Sequence, residues 1–452
     1  MVIAVCSVFG CVAQRSGPLP VGPRLDEALS APAVGSALVQ PAVARPVQLP
    51  SVLIDPSNGL SPDEAALVAI AVNPALRAIR DNRGIAQSQV IQAGILPNPE
   101  ISAGKDWPAF GATAGTQPAR GAELAWDLTS LLPRRSAVTA ERQNVEAVEL
   151  DIAWQEWQVA QQARLSAGRL LFIERRLALA IASEQAFLAQ VTLLRDAMNL
   201  GNATILTLSA AESAQQTASL NRLEVLQEQR NARLDLLRAL GVPPTSNITV
   251  DPSSVMPSWE RVSSLADLMT SLPTSRLDLQ SLQRGYQSQD TRIRAARLRA
   301  VPSIGVVLRR GRDTSGVGTM GFSVVLGLPF FNRNQGEIAL QSATQRQLYD
   351  EYQARVQSAR FEVGSALINM TSLREQIELL TGAVNTLGHL LTVAAQQTGQ
   401  GNVSLIDLYD LRVRQLTTQL SLQSLFQGMF ELGVALDIAA GRIVADPVVA
   451  SP

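Results

Sequence analysis

Histidine and cysteine are almost missing from this chain, with one His and two Cys in 452 residues. A metal centre built on imidazole and thiolate ligands is thereby excluded as its main chemistry, because such centres take three or four of these side chains. An excess of charge of one sign is missing too. The formal net charge is −1, without long blocks of like charge, which argues against a nucleic-acid surface. Aromatics amount to 4% while Ala, Leu and Gln are plentiful, a composition of long helices packed through small and aliphatic residues rather than of a globular enzyme core. No nucleophile elbow, phosphate loop, metal-ligand spacing or His-based acid–base pair occurs, so nothing points to an enzyme.

Proline is absent where it matters. None of the 24 prolines lies between Pro133 and Pro243, nor between Pro329 and Pro447. Each gap is interrupted near its middle by Gly-Asn, at Gly201-Asn202 and Gly401-Asn402. Both residue types tolerate positive φ, and Thr204 or Ser404 can cap the helix that follows. Two very long helical hairpins are therefore predicted, over 136–240 and 332–440. At roughly 1.5 Å per residue the arm over 136–199 would reach on the order of 95 Å, which suits a tunnel or a rod. Along it Leu170, Ile173, Leu177, Ile181, Leu188, Val191 and Met198 read as a coiled-coil seam, and Gln155, Gln158, Gln161 and Gln162 as a water-facing stripe.

The two tips match position by position, and the same offset of about two hundred residues aligns Ala239-Leu-Gly241 with Ala439-Ala-Gly441. So long a period is one unit used twice rather than a solenoid. Upstream of each hairpin the pattern changes from 3.6 to 2, giving strands over about 99–107, 121–130, 302–310 and 319–328. Ile101, Ala103, Lys105 and Trp107 alternate with polar residues, as do Ala122, Leu124, Trp126 and Leu128. Ile304, Val306 and Leu308 follow the same pattern, and so do Met320, Phe322, Val324, Leu326 and Leu328. Nine to eleven alternating residues fit a tilted strand crossing a bilayer. Four strands cannot close a barrel, and an open edge cannot sit in lipid, so the chain must oligomerise or stay out of the membrane. Three copies would supply twelve strands. Trp107 and Trp126 then fit either an interfacial girdle or a core.

Pro99, Pro133, Pro302 and Pro329 bracket the strands. The N-terminus suggests export, with Val8-Phe-Gly-Cys11 resembling a lipoprotein signal whose Cys11 would be acylated; an ordinary signal peptide is the other reading. No apolar run of 18 residues follows, so no transmembrane helix is expected. The resulting division is 1–11 signal, 12–60 extended segment, 61–242 first repeat, 243–273 connector with a short helix, 274–441 second repeat and 442–452 tail. The class is an α+β membrane protein of long antiparallel helical hairpins and four strands. A periplasmic coiled-coil scaffold or adaptor would explain the helices and leave the strands unexplained.

This layout resembles the TolC-type outer membrane factors of tripartite efflux systems, over about 61–445. Leu328-Pro-Phe-Phe-Asn-Arg-Asn-Gln-Gly-Glu-Ile338 resembles the strand-to-helix junction of the branch serving heavy-metal resistance-nodulation-division (RND) exporters. The resemblance implies a homotrimer with a twelve-stranded barrel in outer-membrane lipid and a tunnel through the periplasm. It further implies a periplasmic adaptor and an inner-membrane RND transporter as partners, and either metal cations or drugs as cargo, without a cofactor beyond a lipid on Cys11. Gly201, Asn202, Gly401 and Asn402 would lie at the periplasmic tip. Asp407 and Asp410 stand where the family's gate acids stand, three apart and so on one helix face; a trimer would stack them as two acidic rings that favour cations. Their other reading is acids stabilised by a helix N-terminus. The family's basic residue after the tip glycine is replaced by Val403, and the first repeat has Thr207 and Ala210 in place of the acids. Arg309, Arg310 and Arg312 would reach the outer leaflet, where lipopolysaccharide phosphates could pair with them, or lie in a solvated loop. Arg292, Arg294, Arg297 and Arg299 read as surface or inter-subunit pairs, and lone His389 as structural.

Overall fold

The structure is a computed structural model that describes residue 19 and residues 58–111, 114–254 and 264–442. Cys11, most of the 12–60 segment and the tail beyond 442 lie outside the described residues.

The first repeat starts with α1 (Pro62–Val72), closed by a capping box in which Glu64 N donates to Ser61 Oγ and Ser61 N to the Glu64 carboxylate, with Pro62 at the first helical position. Asn73 ends it and caps α2 (Pro74–Gly94). Strands β1 (Glu100–Asp106) and β2 (Ala119–Asp127) follow, then α3 (Leu131–Asn199) and α4 (Ile205–Leu240). The second repeat has α5 (Leu265–Ser275), α6 (Leu277–Leu298), β3 (Ser303–Arg312), β4 (Gly318–Gly327), α7 (Gln335–Gly399) and α8 (Leu405–Ala440). The first hairpin pairs helices of 69 and 36 residues, the second helices of 65 and 36. The four strands form one antiparallel sheet in the order β1-β2-β3-β4, which leaves β1 and β4 as its edges.

Helix α3 is the spine: α1, α2, α4, α6 and α8 all pack along it. Each repeat buries its own core where the short helix meets the hairpin. In the first, Ala65, Val68 and Ala69 of α1 pack on Ala163, Ala167 and Leu170 of α3 and on Leu236 and Leu240 of α4. In the second, Leu268 and Leu272 of α5 meet Ala359 and Val363 of α7 and Leu436 and Ala439 of α8. Each fully buried Leu contributes about 1.5–3 kcal/mol, so these two knots hold the repeats more firmly than helix propensity does. Between the repeats the Phe430 ring packs against Gly168, where a Cβ would fall 2.1 Å from it; only glycine lets α3 and α8 approach so closely.

Three expectations need correcting. Within the proposed seam Leu170, Ile173 and Val191 are buried, but Ile181 and Leu188 are 39% and 55% exposed. The buried line passes instead through Ala180, Ser183, Ala186 and Leu194, because small residues bring the neighbouring helices close and leave the larger ones on a second stripe. Gln161 does not face water; it is 2% exposed, with no hydrogen-bond partner at its Oε1. Finally, α3 and α7 each contain an 18-residue window of mean hydropathy 1.5 and 1.2, apolar enough to cross a membrane by length and composition. Both belong to helices paired lengthwise with others of the bundle.

Candidate functional sites: the hairpin tips and the strand faces

The tips are built alike. In the first, Asn202 N donates to Ala197 O (2.8 Å) and Gly201 N to Met198 O (3.0 Å); in the second, Asn402 N donates to Gln397 O (3.0 Å) and Gly401 N to Thr398 O (3.0 Å). These paired bonds are the Schellman closure, which needs one left-handed residue. Gly201 and Gly401 supply it, both at φ 77°, while Asn202 and Asn402 keep negative φ. The Asn402 side chain instead donates to Gln397 Oε1.

Downstream the chemistry diverges. Thr204 and Thr207 cap α4 reciprocally. Ser404 caps α8, its Oγ accepting from Asp407 N and donating to Asp407 Oδ2 (2.7 Å). Asp410, one turn on, is paired with Arg414 at 2.8 Å. Asp407 and Asp410 thus share the first turns of α8 with a cation in reach of one of them, and sequence reading missed Arg414 although the i,i+4 spacing was available. Ile406 packs on the cluster of Val191, Leu194 and Leu208, which fixes the second tip against the first.

The sheet register sorts the strand side chains onto two faces. One face carries Ile101, Leu124, Leu308 and Phe322 in one cross-strand row, Trp126, Val306 and Val324 in the next, then Ile304 and Leu326. These side chains are exposed or half-buried although apolar, Ile101 at 79% and Phe322 at 66%. Trp126 donates to Pro97 O at one end of the band, and Trp107 lies exposed beyond the other, so neither sits in a core. The opposite face holds Glu100, Ser102, Asp106, Glu123, Asp127, Thr319 and Ser323, with several glycines. Arg309 belongs to this polar face, paired with Glu123 at 3.1 Å. It therefore parts from Arg310 and Arg312, with which it had been grouped, because one residue along a strand reverses the face.

Between tips and sheet lie two buried ion clusters that long sequence separation concealed. Arg164 of α3, 4% exposed at its side chain, contacts Asp63 of α1 at 2.8 Å and Asp437 of α8 at 3.1 Å. Burial pushes the Asp437 carboxyl above the usual carboxylate range, and the Arg164 charge pulls against it. Arg276 binds Asp278 at 2.8 Å and Glu362 at 3.0 Å and lies 4.9 Å over the Trp154 ring. Of the arginines before Pro302, Arg292 pairs with Glu141 and Arg294 with Asp290. His389 is exposed. Among the described residues no group of three or more His, Cys, Asp or Glu could hold a metal ion.

Residues 268–429 match the family described as outer membrane efflux protein. No curated protein matches the chain. Among solved structures, the transmembrane channel CusC superposes with a TM-score of 0.65 at 20% identity, covering 85% of this chain and 93% of that one. The outer membrane protein VceC of Vibrio cholerae gives 0.65 at 17%, covering 84% and 96%. The Neisseria gonorrhoeae outer membrane channel MtrE, in its open state, gives 0.64 at 17%, covering 84% and 88%. Likeness at such identity carries the fold, and the fold is that of an outer membrane channel with helical hairpins and four antiparallel strands. Residues 268–429 thus match an outer membrane efflux protein family, and over its described length the chain shares the fold of solved outer membrane channels.

Proposed function

We propose that three copies of this chain join their sheets edge to edge as a twelve-stranded barrel, and that their hairpins form the tunnel of a passive exit duct in a tripartite efflux pump. The observation that carries this reading is the sheet. Its two edges, β1 and β4, have no partner strand among the described residues, and over most of its length one face carries exposed or half-buried apolar side chains. Lipid does not tolerate an open edge, and closure of three four-stranded sheets gives an even-numbered barrel. The partners in this reading are a periplasmic adaptor at the tips and an inner-membrane RND transporter, which supplies the energy. A lipid on Cys11 would tether the mature chain, and intact-mass measurement of an unmodified thiol there would reject it.

The cargo in this reading is a heavy-metal cation. All four strand carboxylates, Glu100, Asp106, Glu123 and Asp127, lie on the polar face, opposed only by Arg309, a net −3 per chain. Asp407 and Asp410 add acid at the tip, and the Leu328–Ile338 junction favours the metal branch. A multidrug cargo is the alternative. The test is the reversal potential of the reconstituted channel under a salt gradient. Cation preference that falls in the D407N/D410N double variant is expected. A wild-type channel that prefers anions would overturn the cation cargo, and a protein that conducts nothing would overturn the duct.

A further inference from the structure

The register brings together four cations that the sequence keeps far apart. Lys105 pairs with Arg120, and Arg120 pairs with Arg312, so the three form one cross-strand row over β1, β2 and β3. Arg310 stands in the next row, beside Ala122 and Met320. All four are exposed and lie on the apolar face, at the end nearest the β1–β2 and β3–β4 turns. No strand acid shares that face, since every one of the four lies on the other side of the sheet. Asp313, in the nearest turn, has its carboxylate engaged by the N–H groups of Ser315 and Val317 and the Ser315 hydroxyl.

Spacing gives this row a meaning. From Ile304 and Leu326 to the row of Lys105, Arg120 and Arg312 there are eight residues, about 27 Å along the strands and about 20 Å after a tilt of 35–45°. That approaches the height of the apolar band on an outer-membrane barrel. The cations therefore fall at the level of headgroup phosphates, on the side facing lipid rather than the pore. Arg120 and Arg310 form no ion pair with an acid of their own sheet, and planar guanidinium groups suit bidentate donation to phosphate. Lys105 is held 5.0 Å over the Trp107 ring, which keeps its ammonium at this level.

We propose that Lys105, Arg120, Arg310 and Arg312 form a phosphate-binding rim for anionic lipid of the outer leaflet, repeated once per copy around the barrel. This rests on the barrel reading above. The occupant is a lipid-borne phosphate rather than a soluble anion, because the rim continues an apolar face that the acyl chains of the same molecule would cover.

The experiment uses the full chain purified in mild detergent and titrated with lipid A, with dephosphorylated lipid A and with inorganic phosphate, read by native mass and by competition. Wild type should bind lipid A, and dephosphorylated lipid A much more weakly. The K105Q/R120Q/R310Q/R312Q variant should lose roughly fivefold affinity for each charge removed, and the single variant R120Q one such step. R309Q, which removes a charge from the opposite face, should bind as wild type does. Equal binding by the quadruple variant, or equal binding of the dephosphorylated lipid, would overturn the rim. Displacement of lipid A by inorganic phosphate at like concentration would overturn the lipid assignment in favour of a soluble anion. The assembly mass and conductance of the same preparations report on the barrel separately, so a trimer that conducts but ignores lipid phosphate fails this proposal alone.

Discussion

The two repeats are one backbone carrying two chemistries. Their tips have the same Schellman bonds and the same glycine φ, and their outer helices end alike, on Gly241 and Gly441 at φ 73° and 64°. In each, the helix end is held by the residue that opens the repeat's second helix: Asn73 Nδ2 donates to Ala239 O, and Arg276 Nη1 to Ala439 O. The differences are in charge. Position 237 is a buried Leu and 437 a buried Asp; 207 and 210 are Thr and Ala, 407 and 410 both Asp. In the trimer proposed above, shape is what three copies would need from both repeats to make a near-regular tunnel, and charge would be needed from only one.

The clamps separate the repeats most sharply. Arg276→Ala leaves Asp278 buried without its cation and should cost about 3–5 kcal/mol, whereas Asn73→Ala removes a neutral hydrogen bond and cap and should cost about 1 kcal/mol. Denaturant unfolding of the detergent-solubilised protein compares them, and equal losses would mean that the clamps are equivalent after all. The glycines come next, and here the repeats should agree. An alanine Cβ at 241 or 441 would meet backbone at 2.9 or 2.8 Å as well as adopt a left-handed φ, for about 2 kcal/mol or more at either site. At 201 or 401 the space is open, so alanine should cost only about 1 kcal/mol.

Charge at the tips yields smaller, functional effects. Copying the acids into the first repeat, as Thr207→Asp with Ala210→Asp while Asp407 and Asp410 stay, should raise cation selectivity. Arg414→Gln, which removes the partner of Asp410, should raise it less; selectivity unchanged in both would remove the tips from the pore's electrostatics. The slightest effect concerns Asp437. Its carboxyl titrates above its ordinary value of 3.8, so in that interval the folded chain binds more protons than the unfolded one. Its contribution to stability is then largest in acid and declines as pH rises through the shifted range. Asp437→Asn should flatten that part of the stability–pH curve.

Much of this was legible in the sequence because its causes are local. Alternation, proline placement and Gly-Asn each act within a few residues, and they located the four strands and both turns. The rest depends on pairing at a distance. Arg309, Arg310 and Arg312 are neighbours in sequence, yet period 2 alone assigns the first to the other face, a rule applied to the apolar residues and not to these. Lys105 and Arg120 join the rim only through the register. Gln161 is buried because α3 is surrounded over that stretch, and no helical pattern marks that. Arg164 meets Asp437 across 273 residues; burial of a charge is invisible until its partner is placed.

The central claim, that this sheet is one third of a closed barrel, is tested most directly by the native mass of the protein after envelope fractionation and mild detergent extraction. The account predicts three chains, recovered from the outer membrane. A soluble monomer or dimer would contradict it and leave the open edges of β1 and β4 to some other partner.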